Sequence, residues 1–261
     1  MDFSDKNIVV TGAASGIGAQ TARELAARGA RVIGVDLHEA PGVRVARWVR
    51  ADLGDPAGIA GAVAAIGPDI DGLANVAGLP PTRGRIPVLR VNFLGLRAFT
   101  EALLPQLRDG AAIVNLASLA GIGWSQAVPA VRALLALRDF DGIAALCERH
   151  DVDDARSYFL SKEALIAWTM QCRWAWRERG IRMNAVSPGP VETPILPDFL
   201  RTLGARAEED MRVMDRAGRP TDIAPVVAFL LSPDSGWIRG TNVPCDGGMH
   251  AQVLLAAAGL A

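Results

Sequence analysis

Short runs of consecutive apolar residues, rich in valine and isoleucine, recur along the chain, separated by longer stretches with apolar positions every three or four residues. The runs at 8–10, 31–35, 47–50, 72–76, 112–116, 181–186 and 241–244 read as strands, and the longer patterns at about 16–28, 56–66, 92–108, 156–179 and 221–231 as helices. Strands without an exposed polar alternation, interleaved with helices, predict a parallel sheet covered on both faces. The predicted fold class is α/β, a Rossmann-like doubly wound parallel sheet, with its ligand outside the carboxyl ends of the strands.

Two places break the rhythm. Between the second and third strands only Leu37 to Ala46 is available, and Pro41-Gly42 lies in the middle, so the crossover helix is predicted to be short or absent. The stretch 124–154 instead adds chain, with helix-like pieces at 130–137 and 143–149. The 261 residues therefore form one domain, 1–261, with an inserted helical subdomain.

Composition excludes several classes. A formal net charge of −1 gives no electrostatic footprint for nucleic acid or an anionic membrane. Cys147, Cys172 and Cys245 lack Cys-x-x-Cys spacing and the three histidines are dispersed, which disfavours a zinc enzyme and predicts reduced thiols. The chain enters its first strand within a few residues of Met1 and holds no long uncharged apolar stretch, so a cytoplasmic protein is expected.

The candidate chemistry begins with the one tyrosine. Tyr158 stands four residues before Lys162, one of two lysines among 27 basic residues, and a chance Tyr-x-x-x-Lys in such a composition has a probability of roughly one per cent. On a helix, positions i and i+4 share a face. An ammonium there favours phenolate and should draw the tyrosine pKa down toward working pH, making Tyr158 a candidate general acid and base. A surface pair on an amphipathic helix is the competing explanation.

The second candidate is Gly12-x-x-x-Gly16-Ile17-Gly18 with Ser15, between the first strand and the first helix. Such glycines bring backbone N–H groups and a helix N-terminus close to a pyrophosphate. Asp36, at the end of the second strand, is placed to accept from both ribose hydroxyls and to repel a 2′-phosphate, and its neighbour Leu37 is not basic. The cofactor is read as NAD rather than NADP.

In chain order, Thr11-Gly12-x-x-x-Gly16-Ile17-Gly18, Asp52-Leu53, Asn75-Val76-Ala77-Gly78, Asn92, Ser118, Tyr158-x-x-x-Lys162 and Pro188-Gly189-Pro190-Val191-x-Thr193 resemble the short-chain dehydrogenases/reductases over nearly the whole length. The resemblance implies that Asp52 and Leu53 flank the adenine, that Asn75, Ala77 and Gly78 border its ribose, and that Pro188, Val191 and Thr193 contact the nicotinamide end. It further implies that Tyr158 exchanges a proton with the substrate hydroxyl, Lys162 lowers the tyrosine pKa and holds the nicotinamide ribose, Ser118 bonds the reacting oxygen, and Asn92 fixes a water in a proton relay.

Ser118 and Tyr158 lie 158 − 118 = 40 positions apart, which family members usually bridge in far fewer. The insertion therefore leaves from one catalytic position and returns to another, as a lid, an altered subunit interface or surface decoration. Long inserts at this point resemble a subgroup acting on coniferyl-alcohol-like and 3α-hydroxysteroid substrates. The pocket is expected to be lined by Leu119, Trp124, Ile195, Leu196, Phe199 and Leu200, which suit a bulky apolar or aromatic alcohol or its carbonyl product. A regulator that binds NAD without turnover is the alternative from another class. By resemblance the protein is a homodimer or homotetramer, joined through its last helix and strand if the insertion blocks the other surface.

Overall fold

A computed structural model describes residues 1–204 and 214–260. Seven parallel strands, β1 (Asn7–Thr11), β2 (Arg31–Asp36), β3 (Arg47–Arg50), β4 (Ile70–Asn75), β5 (Leu107–Leu116), β6 (Arg182–Pro188) and β7 (Asn242–Cys245), form one sheet in the order β3-β2-β1-β4-β5-β6-β7. The order reverses between β1 and β4, so the ligand crevice of a doubly wound sheet opens there, above the strand ends.

Alternation along each strand feeds two cores. In β1, Val9 joins helices α2 (Pro56–Ile66), α4 (Leu96–Leu103) and α7 (Asp154–Gln171) on one face, through residues such as Ile59, Phe99 and Leu165. Ile8 and Val10 join α1 (Gly16–Ala27) and α9 (Pro220–Leu231) on the other, through Leu25 and Val227. The strands are thus apolar on both sides because both sides are covered.

No helix forms between β2 and β3. Trp48 instead lies over Gly34: a Cβ there would come within 2.9 Å of the indole ring and 3.3 Å of Ala13 Cβ. An indole fills part of the space that a crossover helix would cover.

The helix expected from 92 begins earlier, as α3 (Arg85–Leu89), and continues through a π-turn over Arg90–Gly95 into α4. Gly84 precedes it and Pro87 sits in its first turn, where a missing N–H costs nothing. The π-turn lets Gly95 meet β3's following loop, since a Cβ there would fall 1.8 Å from the Leu53 carbonyl oxygen.

The insertion folds as α5 (Val128–Ala136) and α6 (Ile143–Arg149), preceded by a 3₁₀ turn over Leu119–Gln126. Val131, Leu134, Ile143, Leu146 and Cys147 are buried in the same core as α4 and α7. Arg97 of α4, itself buried, donates to the Leu135 carbonyl at 2.9 Å and to the Leu137 carbonyl, satisfying the end of α5, and stacks on Phe93. This layer explains why α7 carries no polar stripe. The sheet covers one side of it and the insertion the other.

Among the described residues, the remaining helices are α8 (Leu196–Leu203) and α10 (Met249–Ala257). Asp246 caps α10, accepting from Gly248 N at 3.0 Å and His250 N at 2.9 Å. Along α10, Val253, Leu254 and Leu255 are exposed.

Candidate active site

A crevice of about 730 Å³ opens over the ends of β1, β2 and β4. Gly12, Ser15, Gly16, Ile17, Gly18, Asp36, Leu37, Asp52, Leu53, Ala77, Gly78 and Thr193 line it, and so does Ile195, which is expected in the substrate pocket. Thr11 Oγ1 accepts from Val76 N at 3.0 Å and Ala77 N at 3.1 Å, drawing β4's exit onto the glycine turn. Gly12 has φ 68°, and a Cβ there would stand 2.8 Å from Ala77 Cα; only glycine permits both the conformation and the contact.

Ser15 is the N-cap of α1 but makes no side-chain cap bond, which leaves the first helical N–H groups for a ligand. Asp36 Oδ2 accepts from Ala14 N at 3.0 Å, so the acid also braces the glycine turn. Asp52 Oδ1 accepts from Gly54 N at 2.7 Å and shapes the opposite wall. Cradle, open helix terminus and flanking acids fit a nicotinamide dinucleotide.

Lys162, Tyr158 and Ser118 gather behind the inner wall. Lys162 Nζ donates to the Leu116 carbonyl at 2.8 Å, at the end of β5, and lies 5.6 Å from the Tyr158 ring centroid. Leu116 lines the crevice, and a Cβ on Gly78, which also lines it, would come within 3.8 Å of Lys162 Nζ. Ser118 accepts from Ala120 N at 3.2 Å as the cap of the 3₁₀ turn, and its hydroxyl also meets the Tyr158 side chain. The insertion thus brings Ser118 and Tyr158 together across forty positions. Gly121 makes this approach possible, since a Cβ there would be 2.7 Å from the Lys162 carbonyl oxygen.

The electrostatics differ from the expectation. Burial pushes the Tyr158 phenol up to about 12, with the Ser118 hydroxyl pulling the other way, and burial pushes Lys162 down to about 8. Desolvation outweighs attraction because both groups are taken from water and each charged form is penalised. The pair is a proton store whose first loss is near 8, rather than a phenol brought toward neutrality.

Asn75 is placed otherwise than expected. Asn75 is fully buried, and its side chain turns away from the crevice: Nδ2 donates to Thr100 Oγ1 at 2.8 Å and Asn115 Oδ1 at 2.9 Å, while Asn115 Nδ2 donates to Thr169 Oγ1 at 3.0 Å. That network ties α4, β4, β5 and α7 beneath the site. Asn92 spends both ends of its amide on Leu79, accepting from its N–H at 2.7 Å and donating to its carbonyl at 3.0 Å, so the side chain holds the loop after β4, close to Lys162. Trp124 packs against the larger core.

Pro188 and Val191 are buried at the end of β6, Val191 paired with Gly218, and neither lines the crevice. Thr193 reaches across to the glycine turn, its Cγ2 standing 3.2 Å from a Cβ on Gly16. Phe199 of α8 meets Tyr158 edge-on at 4.7 Å between centroids, and the tyrosine is 9 % exposed. Leu119, Leu196 and Leu200 are half-buried nearby in sequence but do not line the crevice. The wall formed by Ile86, Pro87, Arg90 and Val91 was outside the sequence expectation. Gly84 followed by Pro87 is the signal for the earlier helix start that places it.

Residues 6–130 match the family model for short chain dehydrogenases, and residues 142–250 match that for enoyl-(acyl carrier protein) reductases. The chain belongs to the short-chain dehydrogenase/reductase family, oxidoreductases acting on alcohols or carbonyl compounds. It is 40% identical over 251 residues to a coniferyl-alcohol dehydrogenase of a Pseudomonas species, covering 95% of this chain and 98% of that one. It is 32% identical to the 3-alpha-hydroxysteroid dehydrogenase/carbonyl reductase of Comamonas testosteroni, covering 94% and 96%. The crystal structure of a Pseudomonas 3-alpha-hydroxysteroid dehydrogenase complexed with NADH superposes with a TM-score of 0.81 at 33% identity, covering 95% and 98%.

The position of Asn92 gives a direct test. Asn92→Leu would leave the Leu79 N–H and carbonyl without partners, at about 1–3 kcal/mol for each buried group, and should lower the urea midpoint measurably. A variant with wild-type stability and altered turnover would put the weight of Asn92 on the proton relay instead of the loop.

Proposed function

We propose that the protein oxidises a bulky apolar or aromatic alcohol, coniferyl-alcohol-like, with NAD, and reduces the corresponding carbonyl in reverse. The observation that carries this reading is the buried Tyr158–Lys162 pair, bonded to the Leu116 carbonyl at the wall of the dinucleotide crevice. When bound, the dinucleotide supplies the hydride acceptor or donor at its nicotinamide ring.

In that reading Ser118 orients the substrate oxygen toward Tyr158, and Tyr158 takes the hydroxyl proton or returns it. Lys162 answers the change in charge at the phenol from a position held by the Leu116 carbonyl. Asp36, with Ala14 and Leu37 as its non-basic surroundings, supports NAD over NADP. Phe199 and Ile195 offer the apolar wall, and the edge contact on Tyr158 suits an aromatic ring that takes its place when α8 shifts. The identity to the coniferyl-alcohol dehydrogenase supports a phenylpropenyl alcohol ahead of a 3α-hydroxysteroid. Three unpaired cysteines suit the cytoplasm as its setting.

Coniferyl alcohol and a 3α-hydroxysteroid, each assayed with NAD and NADP, should rank coniferyl alcohol with NAD first; dominance of the steroid or of NADP would displace that part of the reading. Tyr158→Phe should lower turnover by about 10³-fold or more while NADH binding, followed by its fluorescence, persists. Undiminished turnover would remove the base, and a wild-type chain that binds NADH yet turns over no alcohol would favour a regulator.

The pH dependence follows from the pair. Raising the pH first removes a proton from Lys162, at about 8, because Tyr158 keeps its own to about 12. Oxidation needs the pair to accept a proton, so kcat/KM for the alcohol should climb through about 8 and then level. Carbonyl reduction needs the pair to release one and should decline over the same window. Profiles flat across that window in both directions would separate the pair from the rate.

The same exposed surfaces lead us to propose a homodimer or homotetramer joined at the β7 edge and α10. Trp237 beside β7 is 98% exposed, Val253, Leu254 and Leu255 are exposed on α10, and the insertion covers the outer side of α4 and α7. Sedimentation should give a multiple of the chain mass that falls to one chain in Leu254→Glu/Leu255→Glu; a monomeric wild type would sink the proposal.

A further inference from the structure

The inserted subdomain reaches the wall of the dinucleotide crevice indirectly, through Arg90. Arg90, the first residue of the π-turn, lines the crevice beside Ile86, Pro87 and Val91 and opposite Asp52 to Asp55. Its stem crosses the Asp52–Gly54 turn: Arg90 Cδ stands 3.6 Å, Val91 Cγ2 3.2 Å and Asp52 Oδ1 3.1 Å from the place of a Cβ on Gly54. Its guanidinium lies over the ring of Phe140, 5.5 Å from the centroid. Phe140 belongs to the turn between α5 and α6, and packs against the larger core. One face of the arginine is therefore clamped by the insertion while its stem forms part of the crevice wall.

That arginine has no protein partner among the described residues. It makes no hydrogen bond or ion pair, and its Nε is buried without an acceptor. The carboxylates closest to it along the wall are committed elsewhere, Asp52 to Gly54 N and Asp55 to Ala57 N and Gly58 N. A buried N–H without an acceptor is costly, while the outer nitrogens of this half-buried guanidinium stay open toward a ligand. The charge balance points the same way. Among the described residues, Asp36, Asp52 and Asp55 line the crevice, and Arg83 and Arg90 are the cations that line it with them. A pyrophosphate-bearing ligand needs that positive charge, and a purine offers both a face for a planar cation and ring nitrogens as acceptors.

We propose that Arg90, held in place by Phe140, binds the adenosine half of the dinucleotide, so that the insertion sets cofactor affinity. The inference rests on the dinucleotide reading above and deepens it. Arg90 contacts the ligand; Phe140 is a positioning residue that acts through it.

The test is equilibrium binding of NADH, ADP-ribose and nicotinamide mononucleotide to the full chain, by fluorescence titration and calorimetry, with folding of each variant checked by circular dichroism. Arg90→Ala should weaken NADH and ADP-ribose about tenfold and leave nicotinamide mononucleotide within about twofold. Arg90→Lys, which keeps the charge but not the plane, should fall between. Phe140→Ala should weaken the same two ligands by about threefold to tenfold, and adding it to Arg90→Ala should cost little more, because one contact has already been removed. NADH affinity within twofold of wild type in both single variants, equal losses for all three ligands, or additive losses in the double variant would each overturn the proposal. A wild-type chain that fails to bind NADH would overturn the dinucleotide reading itself.

Discussion

The bond from the Lys162 ammonium to the Leu116 carbonyl fixes where the chemistry can happen. It joins the middle of α7 to the end of β5, and so brings the helix that carries the base to the strand that leads into Ser118. A charged donor taken out of water needs such an acceptor, or its burial would expel the lysine toward solvent. Every other feature of the site can be traced from that contact. Gly121 is small because the 3₁₀ turn must lie on the lysine's own carbonyl, and Ser118 falls beside the phenol because its strand is anchored two residues earlier.

Much of this is legible in the sequence for a simple reason. Parallel strands buried on both faces leave a continuous apolar signature, and β2, with Asp36 at its end, or β6, with its seven buried positions, could scarcely be read otherwise. Glycines in the cofactor turn announce themselves because they stand where a Cβ would strike backbone. What a linear pattern conveys poorly is direction. Asn75 sits at the right strand end to meet a ribose, yet its side chain turns into the sheet, where Thr100 and Asn115 supply partners; nothing in its neighbours tells which way an amide points. The start of the helix at Arg85 and the short helix at Leu196–Leu203 are hidden because Pro87 and Pro197, ordinarily read as breakers, lie in first turns where they are harmless.

The insertion shows how added chain can be absorbed without moving a catalytic frame. Its apolar side chains extend an existing core, and Arg97 closes the end of α5 from the neighbouring helix. Lengthening a connection costs little entropy if the new residues bury enough of themselves. The outcome is neither a cap over the pocket mouth nor loose decoration. It is a third layer over α4 and α7, and α7 loses its polar face as a result.

Trp48 carries a consequence of another kind. By lying over Gly34 where no crossover helix exists, its indole joins the core that Ala13 of the glycine turn also enters. An intrinsic fluorophore is thereby built into the back wall of the cradle, and its emission should register the polarity and ordering of that loop. Excitation transferred from it to a reduced nicotinamide ring would make the protein its own optical gauge of occupancy.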